Sequence, residues 1–274
     1  MTVIDAHHHF WRVAAQDQPW RDDRHDAIAR DYAPADLATE LAAAGVDQTV
    51  LIQSVDESVE NDRLLQYAEE APYVGAVVGW LPLQDPAAAR AEWKRVGGAF
   101  QGVRCLVGRE PLDWLDPELF AELAAAGVSW DVVPVTAEQT DAVIKLAQSV
   151  PGLRIVVDHL GRPPIDSDGW DPWAGRLAQL AASPQVALKV SLGIDLLTAL
   201  PAWPDHLDRY VSWAAECFGS DRLMIASNWP VVLLTASYQE AWSALRSVVE
   251  RTVDDPAAVL GGTAARYYRT KGQP

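Results

Sequence analysis

Short runs of β-branched and other apolar residues recur along the chain, at 3–6, 49–53, 74–80, 103–107, 128–133, 154–158, 186–191 and 222–227. Between them lie longer stretches whose apolar positions repeat at helical intervals, as in Leu207, Tyr210, Val211, Ala214 and Phe218, or Leu119, Leu123 and Ala126. Four of these stretches open with Asp-Pro, at Asp85, Asp116, Asp171 and Asp255. There the carboxylate can cap free amides and proline supplies the first helical φ. Thr136 and Gln139 have the spacing of a capping box, and Gly45, Gly127 and Gly219 mark helix ends just before strands. Eight strand-then-helix units predict a (β/α)8 TIM barrel, with a doubly wound parallel sheet as the alternative.

No linker interrupts this alternation, so residues 1–274 are expected to form one domain. The Pro/Gly-rich segment 161–164 and the stretch 165–173 read as long strand-to-helix loops. Residues 10–33 lack periodicity, follow the first strand, and could form a lid. Composition changes the picture only by exclusion. At 49% hydrophobic and 22% charged residues the chain is an ordinary globular sequence, but 22 Lys+Arg against 38 Asp+Glu leave a net charge of −16. That balance argues against nucleic-acid and membrane-surface partners, whose binding needs clustered cations. No apolar run of about 18 residues and no leader-like start is present, which reads as a cytoplasmic chain. Cys105 and Cys217 are too few for a disulfide framework. A small-molecule partner is expected, and a homodimer is left open.

Barrel chemistry is done where strands end. The strand ends here carry His7-His8-His9, Gln53, Trp80, Arg104-Cys105, Asp131, Asp158-His159, Lys189, Ser191 and Asn228-Trp229. Strand alternation turns His7 and His9 to one side and His8 to the other. If the barrel closes, His159 can join the pair, giving three imidazoles for one divalent ion. Cys105 is either a fourth ligand, as thiolate, or a small buried hydrophobe. Arg104 suits a substrate carboxylate or carbonyl. Lys189 could do the same or serve as counter-ion to Asp5, Asp131 and Asp158. Trp11, Trp20, Trp80, Trp170, Trp173, Trp203 and Trp229 fall at strand ends or in the following loops; they would wall a binding site or form small cores of their own. His25 and His206 are expected to face solvent, and Cys217 to be packing.

Four motifs resemble signatures of the amidohydrolase-2 family and, within it, of its sugar-lactonase branch: Ile4-Asp-Ala-His-His-His-Phe-Trp11, Val157-Asp-His-Leu-Gly-Arg-Pro163, Phe218-Gly-Ser-Asp-Arg-Leu-Met224 and Ser227-Asn-Trp-Pro-Val231. The likeness extends to Gly261-Gly-Thr-Ala-Ala-Arg-Tyr-Tyr268. That branch includes fuconolactonase-like and rhamnonolactonase-like proteins and hydrolases of muconolactones and pyrone dicarboxylate. The resemblance implies a distorted barrel that opens a lactone of a small carboxylated or sugar-derived substrate, with zinc or manganese in some members and no metal in others. It implies catalytic roles for His7, His9, His159 and position 228, and substrate contacts from Gln53 and Arg104; Trp11, Trp80, Lys189 and Trp229 are further candidate contacts.

Two positions depart from the family pattern. The eighth-strand Gly-Ser-Asp-Trp-Pro is here Ala226-Ser-Asn228-Trp-Pro230, and the fourth-strand Gly-x-Arg-His ends in Cys105. An amide at 228 lacks the basicity of a carboxylate. An inactivating Asp→Asn exchange, altered chemistry with the base elsewhere, and loss of catalysis all fit that departure. A decarboxylase or cyclase on the same barrel and a catalytically silent small-molecule-binding protein are the competing functions.

Overall fold

The computed structural model describes residues 2–167, 169–199 and 203–271. Eight parallel strands, β1 (Ile4–His8), β2 (Gln48–Ile52), β3 (Val74–Trp80), β4 (Gly102–Arg104), β5 (Ser129–Val132), β6 (Arg154–Val157), β7 (Val186–Val190) and β8 (Leu223–Ile225), lie side by side in sequence order. Helices α1 (Pro34–Ala44), α2 (Ser58–Glu70), α3 (Pro86–Arg95), α4 (Pro117–Ala125), α5 (Ala137–Ser149), α6 (Trp170–Ala181), α7 (Ile194–Ala199), α8 (Leu207–Phe218), α9 (Tyr238–Thr252) and α10 (Thr263–Tyr268) fill the connections and the end. The architecture is the expected distorted (β/α)8 barrel, and consecutive order without reversal excludes the doubly wound sheet.

Local signals act largely as read. Asp85 and Asp116 each accept two backbone N–H bonds at their helix starts, Thr136 and Gln139 form the capping box, and Asp255 Oδ1 accepts from Ala257 and Ala258. Asp171 is the exception: α6 begins at Trp170, so Asp171 and Pro172 lie inside its first turn and Gly169 is the cap residue. The strands β4 to β8 are shorter than their apolar runs. β4 stops at Arg104, and Cys105, Leu106 and Val107 leave the sheet to line a pocket.

β1 and β8 meet without a regular ladder. Near the top, Asn228 N–H donates to the His7 carbonyl at 2.9 Å and His9 N–H to the Trp229 carbonyl at 2.8 Å. Lower down the Asp5 carboxylate takes over, accepting from Ser227 N–H (2.9 Å), Ser227 Oγ (2.6 Å) and Tyr238 OH (3.1 Å). Burial pushes the Asp5 acid up to about 6, against the pull of these donors. A register irregularity between Asp5 and His8 matters for the site. Ile4 and Ala6 belong to the inner apolar cluster, yet His7 is also drawn toward barrel residues Asp158 and Lys189, which strict alternation would forbid.

The barrel floor is apolar and small: Ala6, Ala76, Ala187 and Ala226 leave room for Tyr267 and Tyr268 of α10. A π-turn (Ala258–Gly262) brings α10 under β1 and β8. At Gly261 a Cβ would sit 1.9 Å from the Thr2 carbonyl oxygen, so no larger residue fits that approach. Segment 10–33 folds onto the barrel around buried Phe10, Trp11, Ile28 and Tyr32. Asp5→Ala is expected to lower unfolding free energy by about 3 kcal/mol or more, because three buried donors lose their acceptor. Urea titration of the variant and the parent checks this; an unchanged midpoint would show that the β1–β8 seam does not depend on Asp5.

Candidate active site

A pocket of about 350 Å³ opens at the C-terminal ends of the strands. His9, Trp20, Gln53, Arg104, Cys105, His159 and Asn228 line it, so seven of the residues singled out in the sequence converge there. His7 lies directly beneath, its Nε2 3.1 Å from His9 Nε2 and its ring centroid 4.6 Å from that of His159.

Each imidazole is held by its other nitrogen. His9 Nδ1 is 2.9 Å from the Ile52 carbonyl, which can only accept, so the Nδ1 proton points there and Nε2 carries the lone pair. His159 Nδ1 meets Ser191 Oγ at 2.9 Å. His7 Nδ1 sits 3.2 Å from Lys189 Nζ and 3.3 Å from Asp158 Oδ1. Burial pushes His7 well below the usual histidine range and His9 and His159 down to about 3, so all three rings are neutral near neutral pH. His159 opens an unusual run: His159, Leu160, Gly161 and Arg162 all have φ between 51° and 59°. Such a run is strained for three non-glycine residues and aims the ring into the pocket from a tight turn.

Below the imidazoles lies a buried charge group. Lys189 Nζ is 2.7 Å from Asp131 Oδ2 and 2.9 Å from Asp158 Oδ1, and Tyr268 OH donates to Asp131 Oδ2 at 2.5 Å. Burial opposes ionisation of Asp158, but Lys189, His7 and Arg104 outweigh it and hold the acid well below its ordinary value. Arg104 reaches from β4 with Nη1 3.4 Å from His7 Nε2 and Nε 3.6 Å from Asp158 Oδ2. Asp158 is the carboxylate paired with it among the described residues, at a loose 3.6 Å, and Arg104 lines the pocket.

Other candidates are placed elsewhere. Lys189 is fully buried as an ion-pair partner and does not line the pocket. Trp11 packs against Trp20 and Tyr32 with its indole N–H on the Arg30 carbonyl, and Trp229 packs against Phe10 and Tyr32. Trp80 ends a strand held on both sides of its peptide by Asn61, and its ring lies against the core. These three indoles serve the loop cores; Trp20 is the tryptophan that reaches the pocket. Cys105 is absent from the converging ligand atoms, and burial pushes its thiol up to about 12, as for an apolar wall residue. His25 is buried, in contrast to the solvent-facing position expected of it, because its Nδ1 closes the turn at Asp22; His206 is exposed. The reading of candidate residues did not single out the apolar walls Val133, Val135, Ile194 and Val231, which no motif marks. It also gave Asp158 and Ser191 no role at the imidazoles, although each neighbours a chosen residue at a strand end.

Asn228 has a definite task. Its φ is 57°, a region asparagine tolerates better than most residues, and its Nδ2 donates to the Leu192 carbonyl at 2.8 Å. An ionised aspartate in this rotamer would set carboxylate against carbonyl oxygen.

A family model described as amidohydrolase matches residues 4–270. The chain belongs to the amidohydrolase family. Two curated relatives are named L-fucono-1,5-lactonase: one from Burkholderia ambifaria, 36% identical over 97% of this chain and 95% of its own, and one from Burkholderia multivorans, 33% identical over the same shares. A crystal structure of an amidohydrolase from Burkholderia multivorans, with bound zinc, superposes with a TM-score of 0.85 at 30% identity, covering 98% of this chain and all of that one. Lactone hydrolysis, which the sequence motifs imply, is therefore also the activity in the relatives' names.

Within this amidohydrolase, Asn228→Asp is expected to destabilise most at neutral pH. The Leu192 carbonyl favours the protonated acid, raising the folded-state pKa above the unfolded value. Stability is then lost as pH rises from about 4 through the raised pKa. A melting temperature about 4–8 °C below the parent at pH 7, with the gap closing toward pH 4, is the expected scan result. Equal melting temperatures across that range would count against the amide's role.

Proposed function

We propose that this amidohydrolase opens the ring of a small lactone by adding water across its ester bond. The observation that carries the reading is one guanidinium and neutral imidazoles converging on the floor of a single pocket, above a buried carboxylate. The lactonase names of relatives matching nearly the whole chain support it.

The donor set suits a divalent cation. His7, Asp158 and His159 each bring one ligand atom within 4.8 Å of the others, the imidazoles are neutral, and neither Asp158 oxygen has a well-directed hydrogen bond despite full burial. His7, His159 and Asp158 would hold the ion, with His9 Nε2 adjoining, and zinc is the ion the similar crystal structure supports. When bound, it supplies Lewis-acid polarisation of a carbonyl and a more acidic water.

The chain's own groups do the positioning. Arg104 presents N–H donors to the lactone carbonyl oxygen, where negative charge grows as the water oxygen bonds to carbon. The ring C–O bond then breaks, and the proton lost by the water ends on the departing ring oxygen, giving a hydroxy acid. Asn228 takes no proton in this scheme, since its amide is engaged as a donor to Leu192. Ser191 and the Ile52 carbonyl keep the His159 and His9 rings from turning.

A pH-stat assay of acid release from L-fucono-1,5-lactone and from unsubstituted δ-lactone tests the reading. Arg104→Ala is expected to lower kcat/KM by about 100- to 1,000-fold. Absence of hydrolysis of every lactone by the metal-supplemented parent would defeat it. His7→Ala, by elemental analysis after zinc loading and desalting, is expected to retain less than a tenth of the parent's zinc.

A further inference from the structure

The pocket's walls say which lactones it takes. We infer that the substrate carries an alkyl or aryl substituent in place of the hydroxyl groups of a sugar lactone; this rests on the hydrolytic reading above. Leu106, Val107, Val133, Val135, Ile194 and Val231 face the cavity from four different strand ends. They give the cavity apolar walls on both sides of the β6 end, which itself contributes His159 and Arg162.

Most polar atoms that line the cavity are already engaged. Gln53 Nε2 donates to Asp56 at 3.0 Å, and Asn228 Nδ2 donates to Leu192 at 2.8 Å. Ser54 Oγ donates to Glu60 at 2.9 Å, and the Trp20 indole N–H is bound to the Ser54 carbonyl at 2.8 Å. Arg162 is paired with Asp195 at the rim. Arg104, Gln53 Oε1 and the carbonyl oxygen of the Asn228 side chain are among those left, beside the His159 nitrogen that faces the proposed ion site. These groups, gathered at the floor, suit one ester and one water, whereas hydroxyls of a sugar ring set against the apolar wall would be buried without a partner.

The mouth repeats the pattern. Leu106, 36% exposed, is one of two large hydrophobic residues left open to solvent among those described, and it stands on the pocket's edge. The cavity, at about 350 Å³, lies in the range that encloses a ring with a substituent.

Two series measured on the full chain decide the matter. In the first, kcat/KM is compared for δ-lactones with alkyl chains of zero to six carbons and for aldono-1,5-lactones. We expect a rise of about four-fold per methylene until the cavity is filled, with the best alkyl lactone exceeding every sugar lactone at least 100-fold. A flat series, or sugar lactones hydrolysed fastest, would overturn the inference. In the second, binding of the corresponding δ-lactams is measured by calorimetry, which does not require turnover. Affinity that climbs with chain length supports the apolar wall even if no lactone is hydrolysed, which would sink only the hydrolytic reading; affinity indifferent to chain length overturns the wall itself. Ile194→Ser and Val107→Ser together are expected to flatten both slopes, and a slope surviving both changes would also overturn the inference.

Discussion

The ammonium group of Lys189 sits at the centre of the barrel, out of reach of water, between two carboxylates. An unpaired charge there would be costly to bury, so the pairing is a condition for the fold as much as a feature of it. It also sets the character of the site above. By keeping Asp158 ionised against burial, it places a fixed negative charge under His7 and Arg104. The neutral imidazoles and the under-partnered guanidinium of the pocket rest on that layer.

The seam between β1 and β8 solves a different problem in the same place. A parallel strand pair normally closes by backbone bonds alone, whereas here the Asp5 carboxylate replaces part of the ladder. The irregularity beside it lets His7 turn inward one position out of phase. Asn228 is joined to both features, with its backbone N–H on His7 and its side chain on Leu192. An amide at this position is therefore consistent with its surroundings, even though it departs from the family's sequence pattern.

Much of this was legible along the chain because it depends on periodicity and on residue chemistry at strand ends. β3 was found at its full length, and Asp-Pro pairs placed helices α3 and α4 correctly, since those signals are local. His9, Gln53, Arg104, His159 and Asn228 line one pocket because strand ends converge in a barrel. What sequence could not resolve depends on contacts between distant segments. Trp11 and Trp229 do not line the pocket and pack instead on Tyr32, with Phe10 also against Trp229, a packing no local pattern encodes. Lys189 had two readings, and only the distances to Asp131 and Asp158 favour counter-ion over clamp. The phase of His7 hung on a register shift, which leaves no mark in composition.

The C-terminal helix reaches this centre from below, where Tyr268 OH holds Asp131, the acid that shares Lys189 with Asp158. During synthesis the imidazoles of β1 emerge first and the tyrosine more than 250 residues later. The electrostatic balance under the pocket is thus finished by a side chain made after all eight strands. A nascent chain that has already paired all eight strands still lacks one of the donors that settle its central charges, so the site matures only once α10 has docked beneath the barrel.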